Sequence, residues 1–206
     1  MISNNKKKKI ILQKIKKNIL RLDVKYSHER KLRFLLDVRG YILINKIKGN
    51  YIEFGSFLSE MQIASFLILD KTKCVINFFG VDLFKKFNGF NFNFNNVKKN
   101  LEKISKKLKI LKLDLSIKKN FKKINIPINI SVIDCNEKDS LVNSLEHSIK
   151  NIVNGGMIYI DDYFILEKKN LFLKPSINKF LKKYKKKLEF FKTYPPFGIA
   201  VIILNR

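Results

Sequence analysis

Apolar positions along the chain follow two rhythms. Short runs rich in β-branched and aromatic residues, Tyr51 to Phe54, Cys74 to Val81, Lys109 to Leu113, Ile128 to Ile133 and Met157 to Ile160, read as buried strands. Between them, apolar residues three and four apart predict helices near Leu58 to Leu69, Val97 to Leu108 and Leu145 to Val153, with a short helix after the third run. Such strands join in parallel, because a crossover long enough to hold a helix returns the chain to the same end of the sheet.

The two ends break this rhythm. Near the N-terminus, Ile10, Ile11, Ile15, Ile19 and Leu22 lie among lysines at helical spacing, which suits packing on the domain or peripheral contact with a membrane surface. A second helix is expected over Arg30 to Ile47, closed by Gly49-Asn50 as C-cap and turn. Residues 1–49 are thus expected to form a basic helical cap, and residues 50–206 a ligand-binding domain. At the other end, a helix over Ile177 to Lys187 precedes two strands, Leu188 to Lys192 and Phe197 to Leu204. Tyr194-Pro195-Pro196 joins them so tightly that they should pair antiparallel. The expectation is an α/β fold: a seven-stranded, mostly parallel sheet with an antiparallel last strand and helices on both faces.

Composition narrows the class. At 206 residues and 46% hydrophobic, the chain suits one compact domain with a short extension. Its net charge of +26 would point to nucleic acid or another anionic partner. Lysine, however, travels here with abundant Asn, Ile and Phe and no Trp, the mark of AT-rich codon usage, so solvated lysine faces account for most of the charge. Cys74 and Cys135 both lie in or beside apolar strand runs, which suggests neither a disulfide framework nor a cysteine zinc site. No apolar stretch approaches the ~20 residues that span a bilayer, and a cytoplasmic protein is expected.

Candidate chemistry gathers at the strand ends, where open parallel sheets bind ligands. Glu53 and Gly55 follow the first strand, Asp82 the second, Asp114 the third, Asp134 the fourth, and Asp161-Asp162 the fifth. Each acid alone is explained as a helix cap; five strands ending alike suggest a site. Gly55 permits close backbone approach to a ligand, and residues Ser56 to Ser59 can offer N–H groups at the next helix start. The Gly-x-Gly-x-x-Gly pattern of dinucleotide sites is missing, which argues against NAD. Asp82 is placed to accept both hydroxyls of a ribose, and Asp114 to face an adenine amino group. Asp134, Asp161 and Asp162, on adjacent strands, have the oxygen ligands a hard divalent cation takes, and such a cation would help deprotonate a substrate hydroxyl.

These pieces resemble a known family. The matching segments are Ser27-His28-Glu29-Arg30, Gly49-Asn50-Tyr51-Ile52-Glu53-Phe54-Gly55, Phe79-Gly80-Val81-Asp82-Leu83-Phe84, Lys112-Leu113-Asp114-Leu115-Ser116, Ile133-Asp134-Cys135-Asn136 and Asn154-Gly155-Gly156-Met157-Ile158-Tyr159-Ile160-Asp161-Asp162-Tyr163. Over roughly residues 26 to 204 the chain resembles the macrocin O-methyltransferase type of class I, Rossmann-like S-adenosylmethionine enzyme, which methylates sugar hydroxyls. That resemblance implies S-adenosylmethionine held by Glu53, Gly55, Ser56 and Asp82, with Asp114 near adenine. It also implies magnesium on Asp134, Asp161 and Asp162, and a small-molecule or glycan acceptor. The family's Asp-x-Asp-x-Tyr reads Asp134-Cys135-Asn136-Glu137-Lys138 here, and Tyr163-Phe164 stands where some relatives place a histidine. Asp134 or Asp161 is therefore the candidate catalytic base, while His28 and His147 are given no role.

Two other readings stay open. A methyltransferase acting on RNA or DNA would use the charge and Tyr194-Pro195-Pro196-Phe197, although that motif belongs after the fourth strand and here sits in a hairpin turn. A non-catalytic domain that keeps the fold would explain the poor glycine turn.

Overall fold

The computed structural model describes residues 27–57, 59–84, 94–164, 172–195 and 198–204. The basic helix expected over residues 10–22 lies outside them, as do Pro196 and Phe197.

The first described helix, α1 (Ser27–Ile44), ends before the expected cap. Lys46 takes a left-handed conformation at φ 53, and the Ile47 amide donates to the Ile42 carbonyl at 3.0 Å. Gly49 instead opens strand β1 (Gly49–Phe54). A Cβ there would lie 2.8 Å from the Asn129 amide nitrogen, so the glycine serves close strand packing.

Strand and helix then alternate as expected: α2 (Glu60–Leu69), β2 (Val75–Asp82), α3 (Phe94–Ile104), β3 (Leu108–Lys112), a 3-10 turn at Lys118–Lys123, β4 (Ile128–Ile133), α4 (Lys138–Asn151) and β5 (Ile152–Ile160). The chain closes with α5 (Leu173–Lys183), β6 (Leu188–Tyr194) and β7 (Gly198–Ile203). Helix α4 starts seven residues before the expected Leu145, and β5 starts five before Met157.

The strands form one sheet in the order β3-β2-β1-β4-β5-β7-β6. The pairs β3/β2, β2/β1, β1/β4 and β4/β5 are parallel, while β7 runs antiparallel to both β5 and β6. Consecutive units run outward from β1 through β2 to β3, and the chain then crosses back to β4 on the other side of β1. That reversal is the topological switch point, where doubly wound sheets leave a crevice beyond their strand ends.

Two apolar layers hold the sheet. Phe34, Leu35, Val38 and Ile42 of α1 pack with Tyr51, Phe78, Tyr159 and the inner residues of α2 and α3. On the opposite face, Leu141 and Leu145 of α4 and Ile177 and Phe180 of α5 pack against Ile52, Phe54, Ile133, Ile158 and Ile160. Alternate residues of β1 thus enter different cores, as a strand buried on both faces requires. Among the described residues, no helix is long and apolar enough to cross a membrane.

Candidate functional site

The crevice is built around β1. Glu53 pairs in register with Gly80 of β2 and Val132 of β4 and is 2% exposed. The next steps of backbone tie three strand ends together: the Gly55 amide donates to the Val81 carbonyl at 2.9 Å and the Asp134 amide to the Phe54 carbonyl at 2.9 Å. Asp82 and Asp134 therefore flank the end of β1 from either side.

Gly55 is required, for a reason other than ligand approach. Its φ is +84, and a Cβ on it would lie 2.0 Å from the Asp134 carbonyl oxygen. What comes close to this glycine is the chain's own backbone just past β4. Left-handed φ values recur at every second position beyond it, 45 at Phe57 and 60 at Ser59, where only a bulky and a polar residue are available. The loop thus keeps a glycine-type path with one glycine in three.

The described loop amides are spent within the protein. Ser56 N–H donates to the Val81 carbonyl at 3.3 Å, Phe57 N–H to Asp82 Oδ2 at 2.9 Å, and Ser59 N–H to the Ser56 carbonyl at 2.6 Å. Among the described residues of the expected anion-binding nest, the amides of Ser56, Phe57 and Ser59 are thus already engaged. Ser56 itself is 4% exposed and turns toward Gly80, where an added Cβ would meet its Oγ at 2.9 Å and Gln62 Oε1 at 2.7 Å. Its hydroxyl is buried there without a hydrogen-bond partner among the described residues. Gln62, which sequence reasoning passed over, clamps the same spot: its Nε2 donates to the Phe78 carbonyl at 2.6 Å and the Lys109 carbonyl at 2.7 Å.

Asp82 is the organising acid. Its Oδ2 takes the Phe57 amide and its Oδ1 the Phe84 amide at 3.0 Å, which orients the carboxylate at the mouth of the crevice. Each carboxylate oxygen has a second acceptor site, so a ribose diol can still be received there. The residues present thus fit a nucleoside cofactor that brings hydroxyl donors. Asp114, one strand further out, caps its own turn: Oδ1 accepts from Ser116 N–H at 3.0 Å and Ser116 Oγ–H at 2.6 Å.

On the other side, the Asp161 amide donates to the Ile133 carbonyl at 2.9 Å, which sets Asp161 beside Asp134. Tyr159, two residues back on β5 and fully buried, donates its hydroxyl to Asp161 Oδ1 at 3.0 Å. Gly198 makes room for that hydroxyl, since a Cβ there would lie 2.2 Å from it. Asp162 adopts a left-handed turn at φ 56. Among the described residues, no three His, Cys, Asp or Glu side chains come together as a cation site. The expected magnesium trio of Asp134, Asp161 and Asp162 is therefore not assembled, in keeping with the engagement of Asp161 by Tyr159. Tyr159 was legible in principle, because residues i and i+2 of a strand share a face.

Cys135 and His147 are chemically quiet. Burial pushes the Cys135 thiol up to about 12, the Ser144 contact opposes this, and the charges of Asp134, Asp82 and Glu137 add to the rise. A thiol so raised is no nucleophile at neutral pH. His147, packed 5.2 Å from Phe121 and 5.9 Å from Phe54 between ring centroids, is lowered to about 4 by burial and by Lys150.

Strand order, the single antiparallel β7 and a crevice edged by Glu53, Asp82 and Asp134 define a Rossmann-like methyltransferase fold. Similarity to solved structures bears this out. The O-methyltransferase NovP superposes with a TM-score of 0.70 at 14% identity, covering 85% of this chain and 80% of its own. CalS11, a TDP-rhamnose 3'-O-methyltransferase of calicheamicin biosynthesis, gives 0.59 at 11% identity over 100% of this chain and 97% of its own. A protein described as a putative rRNA-methylase, from Clostridium thermocellum, gives 0.59 at 15% identity over 82% and 95%. No protein-family model and no curated protein matches the chain.

Proposed function

We propose that this protein transfers a methyl group from S-adenosylmethionine to a hydroxyl of a sugar or a related small molecule. The observation that carries the reading is Asp82, an oriented carboxylate at the end of β2, beside the amides of Ser56, Phe57 and Ser59, which are already used. Such a crevice takes a ligand rich in hydroxyl and amino donors and offers little to phosphate. The sugar-directed part rests on the NovP and CalS11 likenesses and on the sequence resemblance.

Bound S-adenosylmethionine would supply an electrophilic methyl group. Asp82 would accept from the ribose hydroxyls, Glu53 would give the buried edge its negative character against the sulfonium, and Gly55 would hold the β1 and β4 ends together. Asp134 and Asp161 stand side by side at the next strand ends, and either can take the proton of an acceptor hydroxyl. Tyr159 would fix the carboxylate of Asp161 for that step. No step is assigned to a metal, because the three carboxylates expected to ligate one do not converge.

Calorimetry with the full-length protein tests the cofactor half without an acceptor. Micromolar binding of S-adenosylmethionine or S-adenosylhomocysteine is expected, weakened about 10- to 100-fold by Asp82→Asn, in line with the ~1.5–3 kcal/mol of a hydrogen bond to a charged group. No heat of binding at high cofactor concentration would sink the reading. The rRNA-methylase likeness and the charge of +26 favour one rival, RNA methylation. RNA binding whose affinity falls steeply with salt, together with methyl transfer to that RNA, would replace the sugar acceptor.

A further inference from the structure

Helix α1 carries a buried apolar stripe and a second, exposed apolar strip. Its inner stripe of Phe34, Leu35, Val38 and Ile42 is fully buried in the core. Its outer face carries Leu36 at 57% exposure, Leu43 at 43% and Ile44 at 81%. These positions are i, i+7 and i+8, and Gly40 lies between them at i+4 with nothing within 4 Å of an added Cβ. They form one continuous strip along two turns. Scattered exposed leucines need no explanation, but three exposed large apolar residues on one strip of a helix already buried on its other side mark a surface that something covers.

The charges around the strip indicate what covers it. Arg33, Arg39, Lys46 and Lys48 are all exposed on or just beyond α1. The carboxylate of Asp37 is directed away, toward β6, where it accepts from Lys192 Nζ at 2.8 Å and Tyr194 Oη at 2.9 Å. The outer face is left apolar in the middle and basic at its rim. A second copy of the same face would set these cations against each other, whereas an anionic bilayer satisfies both parts. We propose that the outer face of α1 rests on an anionic phospholipid surface, with Leu36, Leu43 and Ile44 entering the headgroup boundary and Arg39 and Lys46 meeting lipid phosphates.

Co-sedimentation of the full chain with vesicles tests this, using phosphatidylglycerol-rich vesicles against pure phosphatidylcholine. The expected result is binding to the anionic vesicles only, at least about tenfold weaker for the double variant Leu43→Glu/Ile44→Glu, with unchanged circular dichroism and thermal midpoint. The charge variant Arg39→Glu/Lys46→Glu should lose binding as well. Failure to bind anionic vesicles would overturn the proposal. So would binding indifferent to the Leu43/Ile44 change, which would mean that charge elsewhere is responsible. A dimer in solution that Leu43→Glu/Ile44→Glu converts to monomer would also overturn it, because the strip would then be a subunit interface.

Discussion

At position 55 one methyl group decides whether β1 and β4 can stay joined. Gly55→Ala places a Cβ 2.0 Å from the Asp134 carbonyl oxygen at φ +84, and we expect a loss of about 3 kcal/mol or more in urea unfolding. Two residues later the sign reverses. Phe57 and Ser59 occupy left-handed backbone that costs an L-residue about 1–2 kcal/mol, so Ser59→Gly should raise stability by about 1 kcal/mol in the same assay, against the usual penalty for glycine. The sequence already named Gly55 as special, on the reasoning that a ligand approaches it. It could not reveal that the neighbour is a carbonyl just past β4, because that contact spans 79 positions and leaves no local pattern. Asp82 was legible as the acid closing a strand; that it would also organise the loop was not.

Among elements, those with plain apolar periodicity were read closely and those with polar packing faces were not. β4 spans the expected Ile128–Ile133. Helix α4 starts earlier than its apolar spacing suggests because Ser140, Ser144, Ser148 and His147 share its buried face with only two leucines, Leu141 and Leu145. Small hydroxyls let it settle close on the sheet, with Ser148 Oγ 2.8 Å from Ser131 Oγ, and hydropathy is blind to this. β5 was read short because Gly155, at φ +77, and Gly156 look like a turn; they instead mark the irregular start of a strand whose register with β4 shifts there. The histidine of α4 gives a pH prediction. Its folded-state value of about 4 lies below the ordinary 6.5, so between those values the unfolded chain holds a proton that the native one refuses. Stability therefore falls as pH drops from 6.5 toward 4, and His147→Gln should flatten that part of the stability profile in denaturant titrations. On β5, Tyr159→Phe should cost about 1–3 kcal/mol by leaving Asp161 short of a donor, while calorimetry should find cofactor affinity unchanged, since Asp161 lies across β4 and β1 from Asp82.

For the whole molecule, the alternation of strand and helix and the closing antiparallel pair were enough to anticipate a seven-stranded doubly wound sheet. The convergence of three carboxylates on a cation was not recoverable in the same way, because strand ends place backbones while side-chain partners such as Tyr159 decide where carboxylates point. Asp161→Ala and Asp162→Ala should accordingly leave S-adenosylmethionine affinity within about twofold, and a chelator should not alter it, as measured by calorimetry. Loss of cofactor binding in either variant would show that the two halves of the crevice act as one.

A protein this basic draws phosphorylated metabolites toward it from every side, yet the amides of Ser56, Phe57 and Ser59 after β1 are already engaged and cannot grip them. Attraction and recognition are thus handled by different parts of the molecule. Nucleotides should crowd near the surface, respond to salt, and still fail to displace a cofactor whose ribose, on the proposed reading, is received by Asp82. Selectivity against the cell's abundant triphosphates would then come from hydrogen bonds the loop has already made within the protein, chiefly to the end of β2.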